Sequence, residues 1–145
     1  APKCPSTVFF LMGSQCSNYV NKELPDNVGL LGFAADDVKD KLFKAADFAL
    51  NPMFSGSGTN LKMFDYMAAG MPVITTEFGT RGIDDKDCFI VADKDTFVDA
   101  INNFSLDNEH ERVTKAHKVV REVFDWEVIA KPLAKKFEEI IGKAD

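Results

Sequence analysis

Phe54-Ser-Gly-Ser-Gly-Thr-Asn60 runs directly into Leu61-Lys-Met-Phe-Asp-Tyr-Met-Ala-Ala69, and Gly70-Met-Pro72 then leads to Val73-Ile-Thr-Thr76. A glycine-rich turn here opens into a helix. Gly70 is a natural C-cap, and Pro72 prevents the helix from continuing. The β-branched run Pro72–Thr76 reads as a strand. Just upstream, Phe48-Ala-Leu50 is a short apolar run stopped by Pro52, and it reads as the preceding strand. Strand, glycine turn, helix and strand in this order form one winding of a parallel sheet.

The pattern continues in both directions. Thr7-Val-Phe-Phe-Leu-Met12 is a continuous apolar run ending at Gly13-Ser14, as expected of a strand buried on both faces. Val28-Gly-Leu-Leu31 follows the break at Pro25-Asp-Asn27. Asp36 is placed to cap a helix over 37–46, with Val38, Leu42, Ala45 and Ala46 inward. Downstream come a strand over Phe89–Val91 and helices over 94–104, 108–123 and 126–141, the last anchored in the core by Phe124, Trp126 and Ile129. The expected fold is α/β: one domain with a Rossmann-like, doubly wound parallel sheet and helices on both faces.

The 145-residue chain carries a net charge of −6, which argues against a phosphate-backbone partner, since non-specific nucleic-acid binding needs a basic face. No apolar run approaches the roughly 18–20 residues that span a bilayer. Cys4, Cys16 and Cys88 are an odd set without C-x-x-C spacing, so free thiols in a reducing cytoplasm are expected. Starting at Ala1 and running almost at once into a strand, the chain reads as part of a longer polypeptide.

The chemistry concentrates in the glycine turn, at the carboxyl end of a strand where open parallel sheets bind ligands. Gly56 and Gly58 allow backbone conformations closed to other residues, so that several N–H groups can face one anion. The positive end of the following helix reinforces them, and Ser57 and Thr59 add hydroxyls. A tight helix cap accounts for the same residues without a ligand. The turn is not a Walker A loop, because no Gly-Lys-Ser/Thr occurs, and the third glycine of a dinucleotide fingerprint falls on Leu61.

With Leu61, Phe64 and Ala68 as the buried stripe of the helix, Asp65 falls on its edge, one turn behind the loop and placed for ribose hydroxyls. In Thr76-Glu-Phe-Gly-Thr-Arg-Gly82, Arg81 is a candidate for a phosphate or sugar and Glu77 for a hydroxyl; Gly13 and Ser14 are candidates for approaching the nucleotide. His110 and His117 share a helix face rich in Glu, Arg and Lys, and read as solvated.

Ser57-Gly-Thr-Asn-Leu-Lys-Met-Phe-Asp-Tyr-Met-Ala-Ala-Gly-Met-Pro-Val-Ile-Thr-Thr76 resembles the C-terminal domain of group 1 glycosyltransferases of the GT-B fold. Asn27-Val-Gly-Leu-Leu-Gly-Phe33, Ala45-Ala-Asp47 and Pro52 fit the same pattern, over roughly residues 8–91, with a fainter echo in Phe124-Asp-Trp126. The resemblance implies that residues 1–145 are the donor half of a two-domain enzyme, beginning at that domain's second strand.

It further implies that the backbone of Ser57, Gly58, Thr59, Asn60 and Leu61 holds a nucleotide diphosphate sugar and Asp65 its ribose. The sugar passes to an acceptor hydroxyl, with retention, no obligatory metal and no cofactor. Catalytic residues and the glycan or lipid-linked acceptor would sit on a separate N-terminal domain, so this chain alone would not turn over. The enzyme would be cytoplasmic, meeting a membrane only through its acceptor. Asp65 stands where the family commonly has Glu, and Ser57 where many members have a sugar-contacting Glu. A different GT-B enzyme, such as a nucleotide-sugar epimerase, or a non-enzymatic α/β interaction module, remain the other readings.

Overall fold

The structure is a computed structural model, and it describes residues 1–142. The strands are β1 (Phe9–Met12), β2 (Val28–Gly32), β3 (Ala49–Asn51), β4 (Val73–Thr75) and β5 (Ile90–Val91). The α-helices are α1 (Asp36–Ala45), α2 (Leu61–Ala68), α3 (Phe97–Asn102), α4 (His110–Val119) and α5 (Trp126–Ile141). The fold is α/β with parallel strands, as the alternating pattern predicts.

The strands form two ladders, not one continuous sheet: β1 pairs β2, and β3–β4–β5 form a three-stranded sheet, all parallel. In the first ladder the N–H of Phe9 donates to Asn27 O, and in the second that of Ala49 donates to Pro72 O. Alternate residues of a strand turn their backbone groups to opposite edges. Phe10 and Met12 therefore face the unpaired edge of β1, and Leu50 that of β3. Both strands still feed one apolar cluster, in which Phe9, Phe48 and Leu50 pack on Cys4, Ile74, Ala92, Phe97 and Ile101.

β1 is not buried on both faces: Phe10 is 63% exposed. One neighbour and one covered face leave the other side open, and the Phe10 ring lies over Gly29, where a Cβ would stand 2.9 Å from it. The main core lies between the second sheet and α2, α4 and the turn after α4, around Met63, Met67, Met71, Val73, Phe89, Ala116 and Val120. Cys4, Cys16 and Cys88 are free and buried. Burial pushes the Cys88 thiol up from its ordinary pKa, and nearby Asp85 adds to this.

Four further expectations are corrected. Helix α1 begins at Asp36 with Ala35 as its cap, and no side chain caps it. Its inward residues are Leu42, Phe43 and the stem of Lys39, whereas Val38, Ala45 and Ala46 are exposed, because Phe43 meets Tyr66 edge-on at 5.4 Å and sets the helix rotation. Helix α3 starts three residues late because the Asp93 carboxylate accepts from the N–H groups of Asp95 and Thr96. Those bonds, with the Thr96 hydroxyl foremost, lower the Asp93 pKa. Finally, Trp126 and Ile129 are exposed, and α5 has no buried residue. Only Phe124 packs inward, against Phe64 at 4.5 Å. No helix among the described residues is long and apolar enough to cross a membrane.

Candidate functional site

The site is built at the carboxyl ends of β3 and β4. Asn51 closes β3 and is buried, and its amide nitrogen donates to Thr75 Oγ1 at 3.2 Å and Gly79 O at 3.4 Å. Thr75 Oγ1 donates back to Asn51 O at 3.0 Å. The two strand ends are thus cross-bonded below the surface, although Asn51 Oδ1 has no partner among the described residues. Above them, the Thr76 hydroxyl donates to Met53 O and accepts from Gly79 N.

The loop itself has Gly56 at φ 144° and Gly58 at φ 76°, conformations that side chains disfavour. The N–H groups of Ser57, Gly58, Thr59 and Asn60 donate to no acceptor in the described chain. At Asn60, the helical cap, the side chain instead donates to Met53 Sδ at 2.8 Å. Loop and helix start together leave a run of exposed amide donors at the positive end of α2, which is what an anion requires.

Asp65 is reached differently from the sequence expectation. The buried stripe of α2 is Met63 and Met67, both fully buried, while Leu61 is 72% exposed. Asp65 therefore lies about 200° from Met63 and points outward, not along the edge of a buried stripe. Its carboxylate is about half exposed and sits 3.7 Å from Lys39 Nζ, itself 3.7 Å from Asp36. It stays one turn behind the loop, in solvent and paired with a lysine of α1. On its other side Tyr66 is desolvated, which raises its pKa, and the Asp65 charge adds to the rise.

Arg81 joins the loop: its Nη2 donates to Gly58 O at 2.6 Å and its Nη1 to Gly56 O at 3.3 Å. The guanidinium lies over the Phe78 ring, 4.4 Å from its centre. Glu77 pairs with Lys86. Gly13 ends β1 with φ 107° in the two-stranded ladder, and no hydrogen bond joins it to the glycine loop. The structure thus gathers Ser57, Gly58, Thr59, Asn60 and Arg81 at one place, with Leu61 and Asp65 on the adjoining helix, while Gly13 follows β1 in the other ladder.

Sequence reasoning missed the open cavity of about 470 Å³ beside this loop, lined by Met53, Phe54, Thr76, Phe78, Val91 and Lys94 among others. The rule that ligands gather at carboxyl ends of parallel strands, applied to β5 as well as β3, would have found its far wall. It also missed Asn51, whose signal is a polar residue ending an apolar strand. His110 is exposed, and His117 is half-buried at the end of α4. Among the described residues no three His, Cys, Asp or Glu are grouped to hold a metal ion.

The family model described as glycosyl transferases group 1 matches residues 2–107, which include every strand, the glycine loop, α2 and Arg81. No curated protein matches the chain.

Proposed function

The chain belongs to the group 1 glycosyltransferases, and from that membership we propose that it binds a nucleotide diphosphate sugar at the glycine loop. One observation carries the reading: adjacent amide donors on Ser57–Asn60 lack acceptors and sit at the start of α2. In this assignment the N–H groups of Ser57, Gly58, Thr59, Asn60 and Leu61 meet the diphosphate, and Asp65 accepts from the ribose hydroxyls. Gly13 borders the nucleotide, and Arg81 acts at the loop.

As the sugar leaves, charge grows on the diphosphate. Fixed amides and a helix dipole stabilise such charge without reorganising. That role substitutes for a divalent cation, so the transfer to the acceptor hydroxyl is assigned as metal-independent; retention at the anomeric carbon, without a cofactor, is assigned from the family alone. Acceptor site and catalytic groups are assigned to an N-terminal domain. The described chain is thus the donor half of a longer cytoplasmic enzyme that reaches a membrane only through a lipid-linked acceptor, and it does not turn over by itself.

The unpaired edges of β1 and β3 support this domain reading. In doubly wound sheets of order 3-2-1-4-5-6, the first strand lies between the second and the fourth. If β1 and β2 are positions two and three and β3 to β5 are four to six, the open place is the first.

Calorimetric titration with UDP, GDP and ADP, repeated on Asp65→Ala, tests the site. Saturable binding of one nucleotide, with shifted amide resonances at Gly58–Asn60 and weaker binding in the variant, is expected. Silence from all three up to millimolar concentrations favours a loop that is only a helix cap, in an interaction module. Product analysis of the complete enzyme separates transfer from epimerisation.

A further inference from the structure

Three contacts lock the glycine loop to the 76–82 loop. The Thr76 hydroxyl holds Met53 O at one end. Arg81 spans the middle, donating to Gly56 O and Gly58 O. Gly82 closes the other end, at φ 88°, where a Cβ would come within 2.9 Å of Thr59 Cγ2 and 3.2 Å of Thr59 Oγ1. The Thr59 side chain packs into the space that position 82 leaves by lacking a Cβ.

The consequence follows from peptide geometry. In a trans peptide unit the C=O and the next residue's N–H point in opposite directions, and no cis bond occurs among the described residues. A Gly56 carbonyl aimed at the guanidinium therefore turns the N–H of Ser57 away from it. The Gly58 carbonyl does the same for the N–H of Thr59. One side chain thereby sets two alternate peptide planes of the loop. With its fork engaged by carbonyls and its face on Phe78, Arg81 is committed to the loop.

We propose that Arg81 is a positioning residue: it orients the Ser57 and Thr59 amides for an anion and is not itself the anion's main partner. The identity of the anion as a nucleoside diphosphate rests on the donor-site reading; the orientation of the loop does not. Lysine keeps the charge but cannot bridge two carbonyls with a planar fork or stack in the same way. An arginine that acted by charge would be largely replaceable by lysine, whereas one that acts as a fork would not.

The experiment compares the wild-type chain with Arg81→Lys, Arg81→Ala and Gly82→Ala. Without ligand, NMR relaxation and amide exchange are recorded for Gly56 to Asn60. Affinity for UDP, GDP and ADP is then measured on the same samples. Both Arg81 variants should loosen Ser57 and Thr59, with little change in the unfolding midpoint because Arg81 is exposed. Both should weaken the nucleotide that binds by a similar factor, about tenfold, and Gly82→Ala should shift the Thr59 amide. Unchanged loop dynamics in both Arg81 variants would overturn the proposal, as would near wild-type affinity in Arg81→Lys alone. If the loop loosens as expected while wild type binds none of the nucleotides, the positioning role stands and the donor-site reading falls.

Discussion

Glycines at 58 and 79 make opposite demands. At Gly58 a Cβ would meet nothing within 4 Å, so the constraint there is the backbone, at φ 76°. Gly58→Ala should therefore cost only about 1 kcal/mol of stability, the penalty of a left-handed alanine, while disturbing the loop amides. At Gly79 a Cβ would fall on Thr75 Oγ1 and lie 2.7 Å from Asn51 Nδ2 and 3.2 Å from Asn51 O. These neighbours are buried and hydrogen-bonded to one another, so none can yield cheaply. Gly79→Ala should cost about 3 kcal/mol. Urea denaturation of the two variants checks the contrast, and equal losses would show that the strand ends are not cross-bonded as described.

Helix α2 shows why an element's rotation is harder to read than its existence. Its ends are written in local chemistry: the glycine loop before Leu61, then Gly70 at φ 70° and Pro72 after Ala69. Its inward face is not, because Leu61, Met63, Phe64, Tyr66, Met67 and Ala68 put apolar groups on nearly every side. Packing chose the methionines, whose unbranched side chains fill irregular space between β4 and α4. Met63→Ala should therefore destabilise by about 2–4 kcal/mol, and Leu61→Ala by less than about 0.5 kcal/mol. Thermal unfolding of both variants tests the rotation, and a reversed order would return Asp65 to the edge of the buried stripe. Asp65 shows the same limit: its position one turn behind the loop is plain from spacing, but its pairing with Lys39 depends on how α1 docks.

For the whole molecule, the unsettled surfaces are the strand edges and α5. Trp126, Ile129, Leu133, Phe137 and Ile140 form a stripe at helical spacing, and every one of them is exposed. Trp126 is the chain's single tryptophan and is 81% exposed. Its fluorescence should resemble that of free indole in water and be readily quenched by iodide; a blue-shifted, protected emission from the isolated chain would contradict the exposed placement of α5. The expected burial of Trp126 and Ile129 failed for a general reason. Amphipathic periodicity says that a face is to be covered, not that this chain covers it. The division of the strands into two ladders has a related cause, since an apolar strand implies neighbours without naming them.

What the residue order determined by itself is everything that depends on local chemistry. The alternation of apolar strands and periodic helices specified a parallel α/β fold. Glycines 56 and 58 before a helix start specified exposed amides, and the ordered motif from Ser57 to Thr76 specified the family. Tertiary structure alone decided which face of α2 is buried, where Asp65 points, that Arg81 grips Gly56 and Gly58, and that β1 and β3 each leave one edge unpaired. Those are contacts between residues far apart in the chain, fixed by shape and competition for space, and neither periodicity nor spacing encodes them.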